Sequence, residues 1–323
     1  MTEPILTIRD LHIEFRGKQR HDVVRAVDGI SLHLDRGEVL SLVGESGCGK
    51  TTTANAVLGL TTPTEGHISV AGIDIATADR KQMKAARAYM QMIAQDPYES
   101  LNPRMTIEDI VTEPLVVHGQ QDDLRERALR ALASAGLTPP EEFIDRRPHE
   151  LSGGQRQRVV IAAALSIEPG LLIADEPVSM LDVSVRAGIL NLLKQLADDK
   201  GIGVLMITHD LATVAAYSDR IAVMYLGRIV ESGPTLDVIA SPEHPYTRAL
   251  LSVVPNHDPT VKTQPTLLVG ETPDASNIPS GCRFHPRCPA AFEPCSQIDP
   301  VLLATSDDRT CACLLYAEVS SPA

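Results

Sequence analysis

The segment Gly44-Glu45-Ser46-Gly47-Cys48-Gly49-Lys50-Thr51 constrains this chain more than any other. It follows Val39-Leu40-Ser41-Leu42-Val43, which reads as a buried strand stopping at Gly44, and it precedes a stretch that reads as helix. Glycines let the backbone curl so that successive N–H groups point inward, and the following helix adds its positive end. The result is a cradle for phosphate oxygens. Lys50 is expected to reach the β- and γ-phosphates of a nucleotide, and Thr51 to place its hydroxyl on Mg²⁺. Gly44, Ser46, Gly47, Cys48, Gly49 and Thr52 complete the cradle, with Cys48 serving as a small loop residue. An ordinary Gly-rich turn would explain the glycines but not the strand before them and the helix after them.

Two further apolar runs end in polar groups. Leu171-Leu172-Ile173-Ala174 leads into Asp175-Glu176, and Val204-Leu205-Met206-Ile207 leads into Thr208-His209. Taken alone, paired acids at a strand end are as often solvated as functional. Beside a phosphate cradle they have a use, because Mg²⁺ takes carboxylate and water oxygens and needs only one or two from protein. Asp175 is expected to hold the metal and Glu176 to polarise an attacking water as general base. Short buried strands alternating with helices predict an α/β fold with a mostly parallel sheet, whose ligands collect beyond the carboxyl ends of the strands. Leu124 to Leu137 reads as one of the amphipathic helices, with Leu124, Ala128, Leu132 and Ala135 on its apolar stripe.

Charge and hydropathy narrow the partners. A net charge of −13 and a pI near 5.2 argue against a surface built for nucleic acid, which needs clustered Lys and Arg. Apolar runs such as Val159 to Leu165 are far shorter than the roughly 20 residues that cross a bilayer, so membrane association must come through partners. Met1 to Ile5 begins no basic-then-apolar secretory leader, which predicts a chain that stays in the cytoplasm.

Leu151-Ser152-Gly153-Gly154-Gln155, followed by Arg156-Gln157-Arg158 and an apolar helix, resembles the signature of the ABC family. Physically it is a second helix start able to face an anion. In that family Ser152, Gly153, Gly154 and Gln155 would complete the ATP site of an opposite subunit, so that two subunits sandwich two ATP molecules. The remaining motifs follow in order. Gln95 resembles the Q-loop glutamine that senses Mg²⁺ and the attacking water, and Asp182, in Ser179-Met180-Leu181-Asp182, resembles the D-loop residue that speaks across the dimer. His209 stands 33 residues after Glu176 and resembles the switch histidine at the γ-phosphate, while Phe15 takes the place of the aromatic that stacks on adenine. The implied fold is that of a P-loop NTPase of the ABC ATPase type. It has a RecA-like core, an N-terminal antiparallel β subdomain and a helical subdomain at about residues 85–165.

Past about residue 255 the texture changes: Pro255, Pro259, Pro265, Pro273, Pro279, Pro286, Pro289 and Pro294 appear and helical periodicity fades. We therefore expect an ATPase domain over residues 1–258 and a small Cys-rich C-terminal extension over 259–323. Five of the six cysteines, Cys282, Cys288, Cys295, Cys311 and Cys313, crowd there. Dense thiols in a reducing compartment read as a metal or cluster site rather than as disulfides.

Gln95 to Pro103, His244-Pro245-Tyr246-Thr247 and the cysteines from Cys282 onward together resemble the ATPases of the peptide and nickel importer subfamily. That resemblance implies a [4Fe–4S] cluster on Cys282, Cys288, Cys295 and Cys313, with Cys311 as the alternative fourth ligand. Structural zinc and free thiols remain open, since spacers of five and six residues are longer than those of common zinc knuckles. Arg283, His285, Arg287 and Arg309 would either offset the cluster's charge or be solvated. The resemblance further implies a peripheral ATPase on the cytoplasmic face of the cell membrane, driving import of di- or oligopeptides. Its partners would be a sister ATPase, two permease subunits and, indirectly, a substrate-binding protein. The alternatives are import of nickel or another small solute, and a soluble ABC protein outside transport.

Overall fold

The computed structural model describes residues 4–16, 23–253, 268, 270 and 273–316. Strands β1 (Leu6–Arg16), β2 (Val23–Leu34), β4 (Glu65–Val70) and β5 (Ile73–Asp74) form an antiparallel sheet in the order β2-β1-β4-β5. A second sheet holds β3 (Val39–Val43), β6 (Met90–Ile93), β7 (Leu171–Asp175), β8 (Gly203–Thr208), β9 (Arg220–Tyr225), β10 (Arg228–Pro234), β11 (Leu303–Ser306) and β12 (Arg309–Cys311). Its order is β11-β12-β10-β9-β3-β8-β7-β6. The five strands from β9 to β6 run parallel, and β10, β12 and β11 continue the sheet antiparallel.

The parallel strands read as nearly continuous apolar runs because both faces of the sheet are covered. All residues of β3, β7 and β8 are buried. Val39, Leu172, Ala174, Val204 and Met206 belong to a core shared with the helices, whereas Leu40, Leu42, Leu171, Ile173, Leu205 and Ile207 pack with the N-terminal sheet. Alternation along these strands thus divides the sheet between two cores, and a third cluster takes Val43, Ile221, Val223 and Tyr225.

Ten α-helices complete the described chain: α1 (Lys50–Val57), α2 (Arg80–Tyr89), α3 (Pro97–Ser100), α4 (Ile107–His118), α5 (Leu124–Ser134), α6 (Gly153–Leu165), α7 (Val183–Lys200), α8 (Leu211–Tyr217), α9 (Thr235–Ala240) and α10 (Pro245–Ser252). Helix α4 starts where Thr106 and Asp109 satisfy each other's backbone N–H groups and ends at Gly119, whose φ of 79° closes the last turn. The stripe expected on α5 is buried at Ala128 and Leu132, with Ala131 added between them. Helices α4, α5 and α6 pack mutually over the side of the sheet that carries Leu172 and Ala174. Among the described residues no helix is long and apolar enough to cross a membrane.

The point at which the Pro-rich texture was expected to begin a new unit, near residue 258, lies outside the described residues. What is described of the Cys-rich stretch does not stand apart from the core. Strand β12 pairs with β10, placing Cys311 opposite Glu231. Phe284, 1% exposed, packs edge-on against Tyr225 and also meets Tyr246, each at 5.3 Å between ring centres. His244 starts α10 by accepting the Tyr246 N–H at 3.1 Å, and its burial lowers its pKa to about 3, so it is a neutral cap. Proline excludes this stretch from regular helices, but its few large side chains are enough to dock it on strands that need cover.

Candidate active site

Strand register assembles the site. Val43 pairs with Thr208, and Asp175 with Ile207, so β3, β7 and β8 end side by side. Gln95 follows β6, whose Ile93 pairs with Ala174. Four loops from distant parts of the chain therefore open onto one edge of the sheet, as parallel α/β sheets do with ligands. There Ser46, Gly47, Gly49, Lys50, Thr51, Thr52, Gln95, Glu176 and His209 line a cleft of about 560 Å³.

The loop is held in backbone conformations that only glycine adopts freely. Gly49 has a φ of 111°, and a Cβ there would lie 2.2 Å from the Ala26 carbonyl oxygen; at Gly44 a Cβ would lie 2.2 Å from the Met224 oxygen. Lys50, 7% exposed, donates to the carbonyls of Gly44 at 2.8 Å and Glu45 at 2.9 Å. Cys48 is buried beneath the loop, and burial raises its thiol pKa, which makes it a packing residue rather than a nucleophile.

Opposite the loop, both oxygens of Glu176 are taken. Oε2 accepts from Gln95 Nε2 at 3.1 Å, and Oε1 lies 2.8 Å from His209 Nδ1. The Glu176 backbone sits at a φ of 46°, unusual for a side-chain-bearing residue, and its N–H is fixed by the Ile207 carbonyl at 2.9 Å. Asp175, 6% exposed, is hydrogen-bonded by Thr51; burial pushes its carboxyl above the usual range, Glu176 pushes the same way, and Thr51 and Lys50 oppose them. A divalent cation at Thr51 and Asp175 would reverse that balance by favouring the ionised carboxylate. The donor set, one hydroxyl and one carboxylate beside open volume, suits a cation that keeps most of its water.

The other expected site residues stand elsewhere on the chain. Ser152 caps α6, accepting the Gln155 N–H at 3.3 Å, while Gln155 Oε1 accepts the Ser152 N–H at 3.0 Å. Gly154 lets α6 approach Val185, since a Cβ would meet Val185 Cγ1 at 2.5 Å, and Gly153 faces Leu181 and the Tyr98 hydroxyl. Asp182 precedes α7 with no side-chain capping bond, next to Met180 and Val183, which are 57% and 79% exposed. Phe15 lies on β1 and is 44% exposed. None of Ser152, Gly153, Gly154, Gln155, Asp182 and Phe15 lines the cleft.

Cys282, Cys288, Cys295 and Cys313 line one small pocket with His244, Phe284 and Phe292. Cys311, weighed as an alternative ligand, is not on that pocket; it is buried on β12, where burial and the neighbouring Glu231 raise its thiol pKa. Among the described residues no set of three or more His, Cys, Asp or Glu is drawn close enough to hold a metal ion. The expected [4Fe–4S] cluster and its zinc alternative therefore find no ready coordination sphere, and burial keeps the Cys282 thiol protonated, raised to about 11. The arginines expected near a cluster are each held by a partner elsewhere in the fold. Arg283 reaches Asp28 and the Leu226 carbonyl, Arg287 pairs with Glu45, and Arg309 with Glu231 at 3.1 Å.

Two contacts of the loop, Glu45 to Arg287 and Glu45 to Tyr246, were not legible in the sequence, nor was the Arg156 guanidinium 4.3 Å from the Tyr98 ring centre beside the α6 start. Tyr98 stands three residues after Gln95, inside the stretch from Gln95 to Pro103 that resembles the importer subfamily, and those two features were its signal in the sequence.

Known proteins resemble this chain in both sequence and fold. Residues 27–179 match the ABC transporter family, and residues 230–295 match the oligopeptide/dipeptide transporter C-terminal region. The oligopeptide transport ATP-binding protein OppF of Escherichia coli is 47% identical over 310 residues, covering 92% of each chain. YkfD of Bacillus subtilis is 45% identical over 319 residues, covering 97% of this chain and 96% of its own. Among solved structures, cbiO1 from Clostridium perfringens, part of the ABC transporter complex cbiONQ, superposes with a TM-score of 0.66 at 30% identity, over 74% of this chain and 92% of its own. A dimeric ABC transporter cassette, MJ0796, bound to ADP and Pi, superposes with a TM-score of 0.63 at 29% identity, over 71% and 98%. A phosphate loop facing a paired glutamate, glutamine and histidine, and relatives alike from end to end, lead to one conclusion: the chain is an ATPase of the ABC transporter family, in the group that carries the oligopeptide/dipeptide transporter C-terminal region.

Proposed function

We propose that this chain is the ATP-hydrolysing subunit of an importer of di- or oligopeptides, working on the cytoplasmic face of the cell membrane. The observation that carries the reading is the convergence of Gln95, Glu176 and His209 on the cleft that the phosphate loop lines. Lys50 and the loop N–H groups bind the β- and γ-phosphates, Thr51 and Asp175 hold Mg²⁺, and Glu176 activates water. Gln95 and His209 orient Glu176 and the water, and their bonds to its two oxygens allow each to report whether nucleotide is in place.

Ser152, Gly153, Gly154, Gln155 and Asp182 serve the second ATPase of a pair. They lie off this chain's own cleft, and helix α6 presents an N-terminal end to an incoming γ-phosphate. The dimeric cassette among the solved relatives supports that arrangement. Two ATP-filled sites close the pair and hydrolysis reopens it, which moves two permease subunits and so the cargo delivered by a substrate-binding protein. Phe15 stacks on adenine in this scheme. The sister ATPase is a paralogue. The helical unit at about residues 85–165 faces the permeases.

Peptide cargo is supported by the C-terminal region and by what the relatives are named for. With its permeases and sister ATPase in vesicles, the chain is expected to drive ATP-dependent uptake of labelled peptide at least about 10-fold above an ATP-free control. Uptake of a nickel chelate in place of peptide would transfer the assignment to the nickel alternative, and absence of any ATP-driven uptake would remove transport itself.

For the thiol pocket the reading is a [4Fe–4S] cluster on Cys282, Cys288, Cys295 and Cys313, supported by their shared pocket. To hold it the four thiols must draw together and lose their protons, which a metal centre enforces. Protein purified without oxygen is then expected to carry matched iron and sulfide, lost in Cys313→Ser and kept in Cys311→Ser. Stoichiometric zinc, or no metal, in the unsubstituted protein would reject the cluster.

A further inference from the structure

Glu45, the second residue of the phosphate loop, is gripped from three directions. Its carbonyl accepts from Lys50 Nζ at 2.9 Å. Its N–H donates to the Tyr246 hydroxyl at 2.9 Å. Its carboxylate takes a two-pronged bond from Arg287, Nη1 to Oε2 at 2.8 Å and Nη2 to Oε1 at 3.2 Å. Only the first grip comes from the loop itself; the Arg287 grip spans 242 positions of sequence.

A carboxylate in this loop is electrostatically out of place. The loop exists to hold the most highly charged part of a nucleoside triphosphate, and an unpaired negative side chain one residue from Ser46 would repel it through a partly dry surrounding. The structure shows how the conflict is removed. Arg287 is 9% exposed at its side chain and Glu45 23%, so the pair is shielded from solvent and from salt. Glu45 does not line the nucleotide cleft, although Ser46, Gly47, Gly49 and Lys50 do. The fork of Arg287 fixes both carboxylate oxygens, which a lysine ammonium cannot do in the same plane.

We propose that Arg287 is a positioning residue for nucleotide binding: it neutralises Glu45 and holds its carboxylate outside the cleft, so that ATP affinity in the N-terminal loop depends on a residue of the C-terminal region. The proposal rests on the reading that the loop holds ATP. It also assigns the Cys-rich stretch a share in the ATP site that is independent of any metal. Arg287 adjoins Cys288 on one side and the carboxylate of the loop on the other.

The experiment is a double-mutant cycle read by binding of a fluorescent ATP analogue and by the KM and kcat of hydrolysis. Arg287→Met keeps the bulk of the side chain and removes the positive fork from the Glu45 carboxylate. It is expected to weaken ATP binding and raise KM about 10-fold, equivalent to about 1.4 kcal/mol, with kcat at saturating ATP within about twofold. Glu45→Gln combined with Arg287→Met removes both charges and is expected to return the Kd to within about threefold of the unsubstituted protein. A loop that merely needed bracing would not recover. A double variant as weak as Arg287→Met, or an Arg287→Met Kd within twofold, overturns the proposal. Should Arg287→Met fail to fold, Arg287→Lys keeps a charge but loses the fork and is expected to weaken binding about threefold, with Glu45→Gln restoring it; an unchanged Kd, or a loss that Glu45→Gln leaves in place, overturns the proposal equally. Unsubstituted protein with no ATP affinity would overturn the reading on which the inference rests, and the inference with it. Normal affinity with unaltered variants overturns the inference alone.

Discussion

Glu176→Gln is expected to bind ATP nearly as well as the unsubstituted chain, to lose hydrolysis by at least about 10²-fold, and to accumulate with its sister ATPase as a closed, ATP-filled pair. The substitution keeps the shape of the side chain but leaves one acceptor oxygen in place of two: the amide oxygen can still meet His209 at 2.8 Å, whereas the new NH2 faces the Gln95 Nε2 donor and keeps that contact only once the Gln95 amide turns its oxygen inward. What disappears is the negative charge able to take a proton from water. Binding is expected to be spared because the phosphate contacts proposed for Lys50 and the loop lie apart from the Glu176 carboxylate. Since reopening depends on hydrolysis in the proposed cycle, blocking the chemical step is expected to trap the closed state. Phosphate release and gel filtration with and without ATP read the two effects separately. Turnover within 10-fold of normal would take the general-base role from Glu176, and a variant that neither binds nor dimerises would show that the residue is structural.

Gly49→Ala is expected to abolish useful ATP affinity, with at least about a 100-fold loss, and to lower the stability of the fold. The reason is steric and local. At a φ of 111° an L side chain is strained by about 1–3 kcal/mol before any contact is counted. The added Cβ would then lie 2.2 Å from the Ala26 carbonyl of β2 and 2.6 Å from Met224 Cε. Strand β2 cannot yield cheaply because Val27 and Ile30 beside it are buried in the core, so the loop must move, and with it the N–H groups aimed at phosphate. Gly47→Ala is the internal comparison. Its φ of 78° carries a similar backbone penalty, but its Cβ meets nothing within 4 Å, and the expected stability loss is only about 1 kcal/mol. Thermal melts and nucleotide titration distinguish the two, and equal melting temperatures for both variants would refute the argument from contact with β2.

The contrast between those glycines shows where sequence reading stops. Glycines at positions 44, 47 and 49 follow from the loop pattern, yet only the packing shows that Gly44 and Gly49 are pressed against other backbone while Gly47 is not. The strands behaved likewise. Val39 to Val43, Leu171 to Ala174 and Val204 to Ile207 were recognisable because burial on both faces selects unbroken apolar runs, but the same runs hold no record of which residues turn to the helices and which to the N-terminal sheet. The arginines of the tail gave the least guidance. Arg283, Arg287 and Arg309 read as a charged surface or as cluster neighbours, and each proved committed to a carboxylate far away in the chain.

The sequence by itself determined the chemistry: the phosphate loop, the acid pair, the glutamine and the histidine are each local patterns, fixed by what a few consecutive residues must do. Only the tertiary structure decided which of them share a cleft, that Cys313 and not Cys311 faces the other thiols, and that the C-terminal region reaches the loop through Tyr246 and Arg287. The physical reason is that strand register and side-chain docking join residues up to 255 positions apart, and no short window of sequence carries the geometry of such a contact.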